Sequence, residues 1–273
     1  MASRFNTGGF LTSAGNFLDT IPTSTEIYFS SGIYGMHSRT HVPNFTTTYI
    51  DQTSVGSLAA PINSITQTYS SSNIGTLAGR SGRRLCLIVI HVHNGTGSTT
   101  ASMTVGGLAA TGITGHNSGS YSVSGLRAQV SMFDIVTPLG LGNNEDIVFT
   151  IADTLTIAKL YLYELSDAVI LASGGDTDSS IVAPDGASVT LTTTTSAVVI
   201  QAASTLLAEG TAPIFSNITI TDDSSIDESN IDGSREHRTL IGRLNANAAS
   251  EACGITIDAS SRCGIRAITY VSV

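Results

Sequence analysis

Two imidazoles, His91 and His93, stand one residue apart in a run of strand-forming residues. Alternate strand residues point to one face, so the pair can chelate a metal ion through neutral ring nitrogens. Three copies around a threefold axis would complete the shell. The same spacing equally describes two histidines at the outer end of a strand, ahead of the Asn94-Gly95 turn, with no carboxylate or third ligand near them in sequence. Oxygen ligands for calcium gather between Asp222 and Gly233. Counted as an EF-hand loop from Glu228, Asn230, Asp232 and Gly233 fall at positions three, five and six, but Thr239 takes the place of the bidentate glutamate. A calcium loop of another kind there, or at Gly174-Gly175-Asp176-Thr177-Asp178, stands beside the reading of solvated acidic loops. A metal ion is thus the one cofactor the sequence leaves open.

Catalytic patterns are not found. The chain has no G-x-S-x-G elbow before a helix, no phosphate-binding G-x-x-x-x-G-K-[ST] and no H-E-x-x-H. It has no tryptophan to form a sugar platform beside paired carboxylates. The expectation is a protein that is not an enzyme. Three N-x-T sequons, at Asn44, Asn94 and Asn217, fit chance in so threonine-rich a chain.

The elements that must position these residues follow from composition. The 273 residues include 36 Ser, 36 Thr and 27 Gly, while only 12% are charged and 41% are hydrophobic. Ser and Thr offer the backbone competing hydrogen bonds and disfavour helix, whereas Thr suits strands and Gly tight turns. With net charge −9, one lysine (Lys159) and a longest basic cluster of Arg80, Arg83 and Arg84, nucleic acid is not an expected partner. That cluster reads as a solvated strand start. No apolar run is long enough to span a membrane, and the first residues lack the apolar core of a secretory signal. Three cysteines, Cys86, Cys253 and Cys263, suit buried free thiols in a reducing compartment.

Residues 1–80 read as an extended arm with short strands. Its apolar positions are sparse, yet nine of the chain's 16 Phe and Tyr lie there. Phe5, Phe10, Phe17, Tyr28, Phe29, Tyr34, Phe45 and Tyr49 are the expected interaction anchors, because such rings gain most when buried against another surface. Residues 81–273 read as an all-β sandwich or jelly roll of roughly ten to twelve strands. Leu85–Val92 is continuously apolar, as in a strand buried on both faces. Strands at 101–105, 126–136, 147–151 and 155–165 follow, then a linker at 173–180. Further strands are expected at 188–193, 197–203, 215–221 and 239–245. A terminal hairpin with the four-residue loop Asp258–Ser261 would turn Cys253 and Cys263 to opposite faces, and a loop one residue shorter or longer would turn them to the same face. The order of elements echoes between 81–172 and 181–273, which suggests two Greek-key halves.

The stretch Arg83-Arg84-Leu85-Cys86-Leu87-Ile88-Val89-Ile90, then a Gly/Ser/Thr loop, then Met103-Thr104-Val105-Gly106-Gly107-Leu108-Ala109-Ala110-Thr111, resembles β-sandwich modules of tailed-bacteriophage virion surface proteins. The segment Lys159–Ser166 fits where such modules place a central strand. The resemblance covers residues 81–273 and transfers no active-site residue. It implies a non-enzymatic virion structural protein, assembled in the host cytoplasm. Such a protein would be a capsid decoration, cement or head-spike protein, forming a homotrimer and binding the major capsid protein or other virion proteins. Its alternative is a tail-fibre or receptor-binding adhesin whose loops at 112–124 and 222–233 recognise host surface glycan. A carbohydrate-active β-sandwich is the third reading.

Overall fold

The computed structural model describes residues 10–11, 17–18, 25–30, 33–40, 47–56, 60–95, 99–113, 121–123, 125–137, 140–178, 185–207, 214–216, 229–230, 236–246, 248–257 and 262–272. They fall into two units, Met1–Phe45 and Thr46–Val273. In the first, β1 (Phe10–Leu11) pairs with β2 (Phe17–Leu18), and β3 (Thr25–Ser30) with β4 (Ile33–Thr40), both antiparallel.

The second unit is all-β among the described residues. Its first half holds β5 (Thr47–Val55), β6 (Ser64–Asn73), β7 (Arg83–Asn94), β8 (Ala101–Val105), β9 (Leu108–Ala109), β10 (Thr111–Gly112), β11 (Tyr121–Val123), β12 (Leu126–Val136) and β13 (Asn144–Ser166). The second half holds β14 (Ala168–Asp178), β15 (Asp185–Thr192), β16 (Val198–Leu207), β17 (Ile214–Ser216), β18 (Ser229–Asn230), β19 (Glu236–Asn245), β20 (Ser250–Ile257) and β21 (Arg262–Ser272).

β13 organises the first half. The expected strands 147–151 and 155–165 are one 23-residue strand, since Ala152-Asp153-Thr154 contains neither Gly nor Pro to end it. Its first part lies between β6 and β8, its second between β5 and β7, and the register shifts around Leu155. One long strand therefore joins both parts of a single nine-stranded sheet, which folds back on itself as a sandwich around one core. Leu85, Leu87 and Val89 of β7, Met103 and Val105 of β8, Phe133 of β12, and Phe149 and Leu162 of β13 fill the core between.

The expected arm is thus divided. β5 and β6 belong to the body, and Tyr69 and Ile74 are buried in its core with Ile50, Val55 and Ile62 packed against it. Sparse apolar residues sufficed because a half-buried strand needs only alternate ones.

The second half is a sandwich of its own. β14-β21-β16-β19-β18 form one sheet and β15-β20-β17 the other. Val199, Ala203, Ile265 and Ala267 meet Ala187, Leu191 and Ile255 between them. The expected linker at 173–180 is instead strand through Asp178. A Cβ on Gly174 would come 2.6 Å from Val189 Cγ2, so this glycine allows close approach of the two sheets. Nor do β20 and β21 pair as a terminal hairpin among the described residues: β20 pairs with β15 and β17, β21 with β14 and β16. Cys253 and Cys263 therefore point from facing sheets into one core rather than to opposite sides, and all three thiols are free and buried.

The sandwiches stack back to back. On β7, Cys86, Ile88, Ile90 and Val92 point away from Leu85, Leu87 and Val89, and all are buried. They face the second half, where Ile200, Ala202, Arg266, Ile268 and Tyr270 are buried on the corresponding faces of β16 and β21. The doubly apolar sequence of β7 is that of a strand between two packed layers, as expected.

Candidate functional site

The polar side chains with chemical potential sit on β7, β12 and β13, and three groups of them are buried. His91 and His93 do share a face of β7, with ring centroids 5.2 Å apart, but they are fully buried rather than at a solvated strand end. They lie at the edge of the first core, His91 against the Phe149 ring at 5.1 Å. His91 Nε2 is 3.2 Å from Ser131 Oγ, while Gln129 exchanges hydrogen bonds with the backbone of Thr99. β13 brings in the carboxylate that sequence proximity lacked: Asp153 Oδ2 is 3.7 Å from His93 Nε2. Among the described residues, however, no three His, Cys, Asp or Glu side chains converge to hold a metal ion. Burial, and then neighbouring His93, hold the His91 pKa well below 6.5, so at neutral pH its ring is uncharged.

The second group overturns the reading of Arg83 and Arg84 as a solvated strand start. Arg83 and Glu164 are 1% and 2% exposed, with Arg83 Nε donating to Glu164 Oε1 at 2.7 Å. Arg83 also donates to the carbonyls of Gly142 (2.9 Å) and Ile74 (2.7 Å). Glu164 accepts from the backbone N–H groups of Thr76 (2.9 Å) and Leu77 (3.0 Å). Every polar end of the pair is thus engaged in closing one end of the sandwich, which makes it a clamp rather than a site. Gly75 fits beneath it at φ +110°, where a Cβ would lie 2.1 Å from Glu164 Oε2. Gly75→Ala should therefore cost about 2–3 kcal/mol in urea unfolding, from backbone strain and displacement of the carboxylate.

The third group spans the junction between sandwiches. Arg84 donates twice to Asp134, at 2.6 and 2.9 Å, and once to the Ala168 carbonyl. The Tyr270 hydroxyl donates to Asp134 Oδ1 at 3.0 Å, and Tyr161 hydrogen-bonds Thr239. Lys159, His237 and Arg266 are fully buried in the same layer. Burial pushes the Arg266 pKa down to about 10 and the Cys86 pKa up to about 12. Burial likewise raises the Cys253 pKa to about 12, so neither thiol forms a thiolate nucleophile near neutral pH.

Glu164 and Asp134 were missed from sequence, although a signal existed. Glu164 continues the alternate set Ala158, Leu160 and Leu162, and a carboxylate on the core-facing side of a buried strand demands a cation. No comparable signal marks His237.

Of the calcium candidates, Asp176 and Asp178 accept the backbone N–H groups of Ser188 and Gly186 at 3.0 and 3.2 Å, and so tie β14 to β15. The acidic stretch Asp222–Gly233 lies outside the described residues apart from the backbone of β18, as do residues 114–120 and 124 of the 112–124 loop. Phe5 and Phe45 lie outside them as well. Phe10 and Phe17 are placed on β1 and β2, Tyr28 and Phe29 on β3, and Tyr34 on β4. Tyr49 belongs to the body, its ring 5.4 Å from that of Tyr163.

Two surface features remain. An open groove of about 520 Å³ at the Gly106-Gly107 turn is lined by Ser71, Thr104, Asn144, Glu145 and Asp146. On β14, Val169, Ile170 and Leu171 are exposed in succession, on a strand that pairs with β21 alone among the described residues. Compared with protein-family models, curated proteins and solved structures, the chain matches none.

Proposed function

We propose that this chain is a non-enzymatic structural protein of a tailed-phage particle, a capsid decoration, cement or head-spike protein. The observation that carries this reading is the division of the chain. An aromatic-rich N-terminal unit, Met1–Phe45, precedes a second unit whose buried ion pairs hold its own sheets together. A body of that kind presents surface, and a separate unit rich in aromatic residues supplies anchors for the major capsid protein or another virion protein. The resemblance carried by residues 83–111 points the same way. The exposed apolar edge Val169–Leu171 suits contact between copies, in keeping with a homotrimer assembled in the host cytoplasm.

A second reading, a tail-fibre or receptor-binding adhesin, draws on the groove at Gly106-Gly107, whose hydroxyl, amide and carboxylate lining suits a glycan. Deletion of residues 1–45 separates the two. The truncated body should keep its unfolding transition yet fail to sediment with phage heads lacking this protein, whereas the full chain co-sediments. Truncated protein that still binds heads, or that instead binds host cells, would displace the decoration reading.

A further inference from the structure

One end of the first core is lined with polar donors and acceptors rather than apolar side chains. His91 and His93 of β7 are fully buried there, with Gln129 and Ser131 of β12 beside them. The Thr99 backbone holds Gln129 through both ends of its amide, and Gln129 Nε2 donates to Ser131 Oγ at 3.3 Å. Ser131 Oγ in turn engages His91 Nε2 at 3.2 Å. The other nitrogen of that ring, Nδ1, is buried with no hydrogen-bond partner among the described residues, which a native interior rarely tolerates without a use for the atom. Asp153 of β13 stands at the rim of this group, its side chain 35% exposed. Gly95 leaves room for the carboxylate, since a Cβ at that position would lie 2.6 Å from Oδ2.

The spacings suit a metal ion. Two imidazoles on one tetrahedral ion, with bonds of about 2.0 Å, have ring centres about 5 Å apart and donor atoms about 3.3 Å apart. Here the ring centres are 5.2 Å apart. His93 Nε2 lies 3.7 Å from Asp153 Oδ2, too far for a hydrogen bond and close to the separation of two ligands on one ion. We propose that His91, His93 and Asp153 bind one divalent cation of the zinc class at this end of the first core, with water in the fourth place. Among the described residues the three side chains do not converge on one point, and Asp153, reached by solvent, is the one that turns inward to complete the set. His91 ligates through Nδ1, while its Nε2–H donates to Ser131 Oγ and so fixes the tautomer, as outer-shell partners of metal-bound histidines do. The ion enters from the Asp153 side.

Cobalt(II) is the probe, because a tetrahedral site colours it. Titrated into the full chain at neutral pH, it should bind at about one ion per chain, with visible d–d bands that zinc(II) bleaches. No near-ultraviolet thiolate band should accompany them, since Cys86, Cys253 and Cys263 are not ligands. Asp153→Ala, at a part-exposed position where the core stays intact, should weaken binding about 100-fold or more, and Ser131→Ala about 10-fold. Saturating zinc(II) should raise the urea midpoint of the full chain and leave that of Asp153→Ala unmoved. His91→Gln and His93→Gln should abolish the bands; if neither variant folds, Asp153→Ala and the spectrum still decide. A full chain that gives no d–d bands would overturn the site. Binding or stabilisation that survives Asp153→Ala would do so too, marking an adventitious ion only.

Discussion

Glu164→Ala is expected to lower the unfolding free energy by about 3–5 kcal/mol, the cost of leaving a buried cation without its counterion. Arg83 would keep its hydrogen bonds to the Gly142 and Ile74 carbonyls but lose its charge partner in a place solvent does not reach. The backbone N–H groups of Thr76 and Leu77 would lose their acceptors at the same time. Urea denaturation followed by circular dichroism measures the loss. Replacing Arg80 or Asp167 provides the contrast, since that ion pair has side chains 48% and 47% exposed and should contribute no more than about 1 kcal/mol. A comparable small loss for Glu164→Ala would mean that the clamp is not closed as described. Arg83→Met with Glu164→Leu should recover only the part of the loss that comes from the unpaired cation, because the N–H groups of Thr76 and Leu77 and the carbonyls of Gly142 and Ile74 stay unmatched.

The second large effect is on acid stability. The histidines His91 and His237 have folded-state pKa values held well below 6.5 by burial, and an unfolded chain returns both to about 6.5. The unfolded state therefore binds more protons as pH falls, so stability is fully present above pH 6.5 and is lost below it. Each histidine contributes a slope of at most about 1.4 kcal/mol per pH unit, so the pair removes up to about 4 kcal/mol by pH 5 relative to pH 8. Urea midpoints at pH 7.5, 6 and 5 should record that decline, and combining His91→Gln with His237→Gln should flatten it. A midpoint unchanged from pH 7.5 to 5 in the wild-type chain would show that neither ring is buried uncharged.

The two effects differ in origin. At Glu164, a buried carboxylate is stabilised by the guanidinium beside it; at His91 and His237, an uncharged state is stabilised by excluding a charge. Glu164 and His91 are buried within the first sandwich and His237 between the two, where β7 and the Leu155–Ser166 part of β13 are buried on both faces.

Residue types and alternation alone settle a good deal. Hydroxyl-rich, charge-poor composition specifies strands, the Leu85–Val92 run specifies a strand covered on both faces, and the period of two between Ala158 and Leu165 separates a core face from its reverse. These are local properties, set by the backbone geometry of each segment. Pairing between distant segments is not local, and there the tertiary structure decides. Nothing between residues 47 and 73 says that it will flank β13, because a sparse alternation is compatible with any open sheet edge. Nothing in Cys253 and Cys263 says that their strands belong to facing sheets rather than to one hairpin. The charged side chains make the point most sharply: Arg83 and Glu164 lie 81 positions apart, and each alone looks like a surface residue. Only the fold, by placing them at 2.7 Å away from water, turns two costly burials into one closed contact.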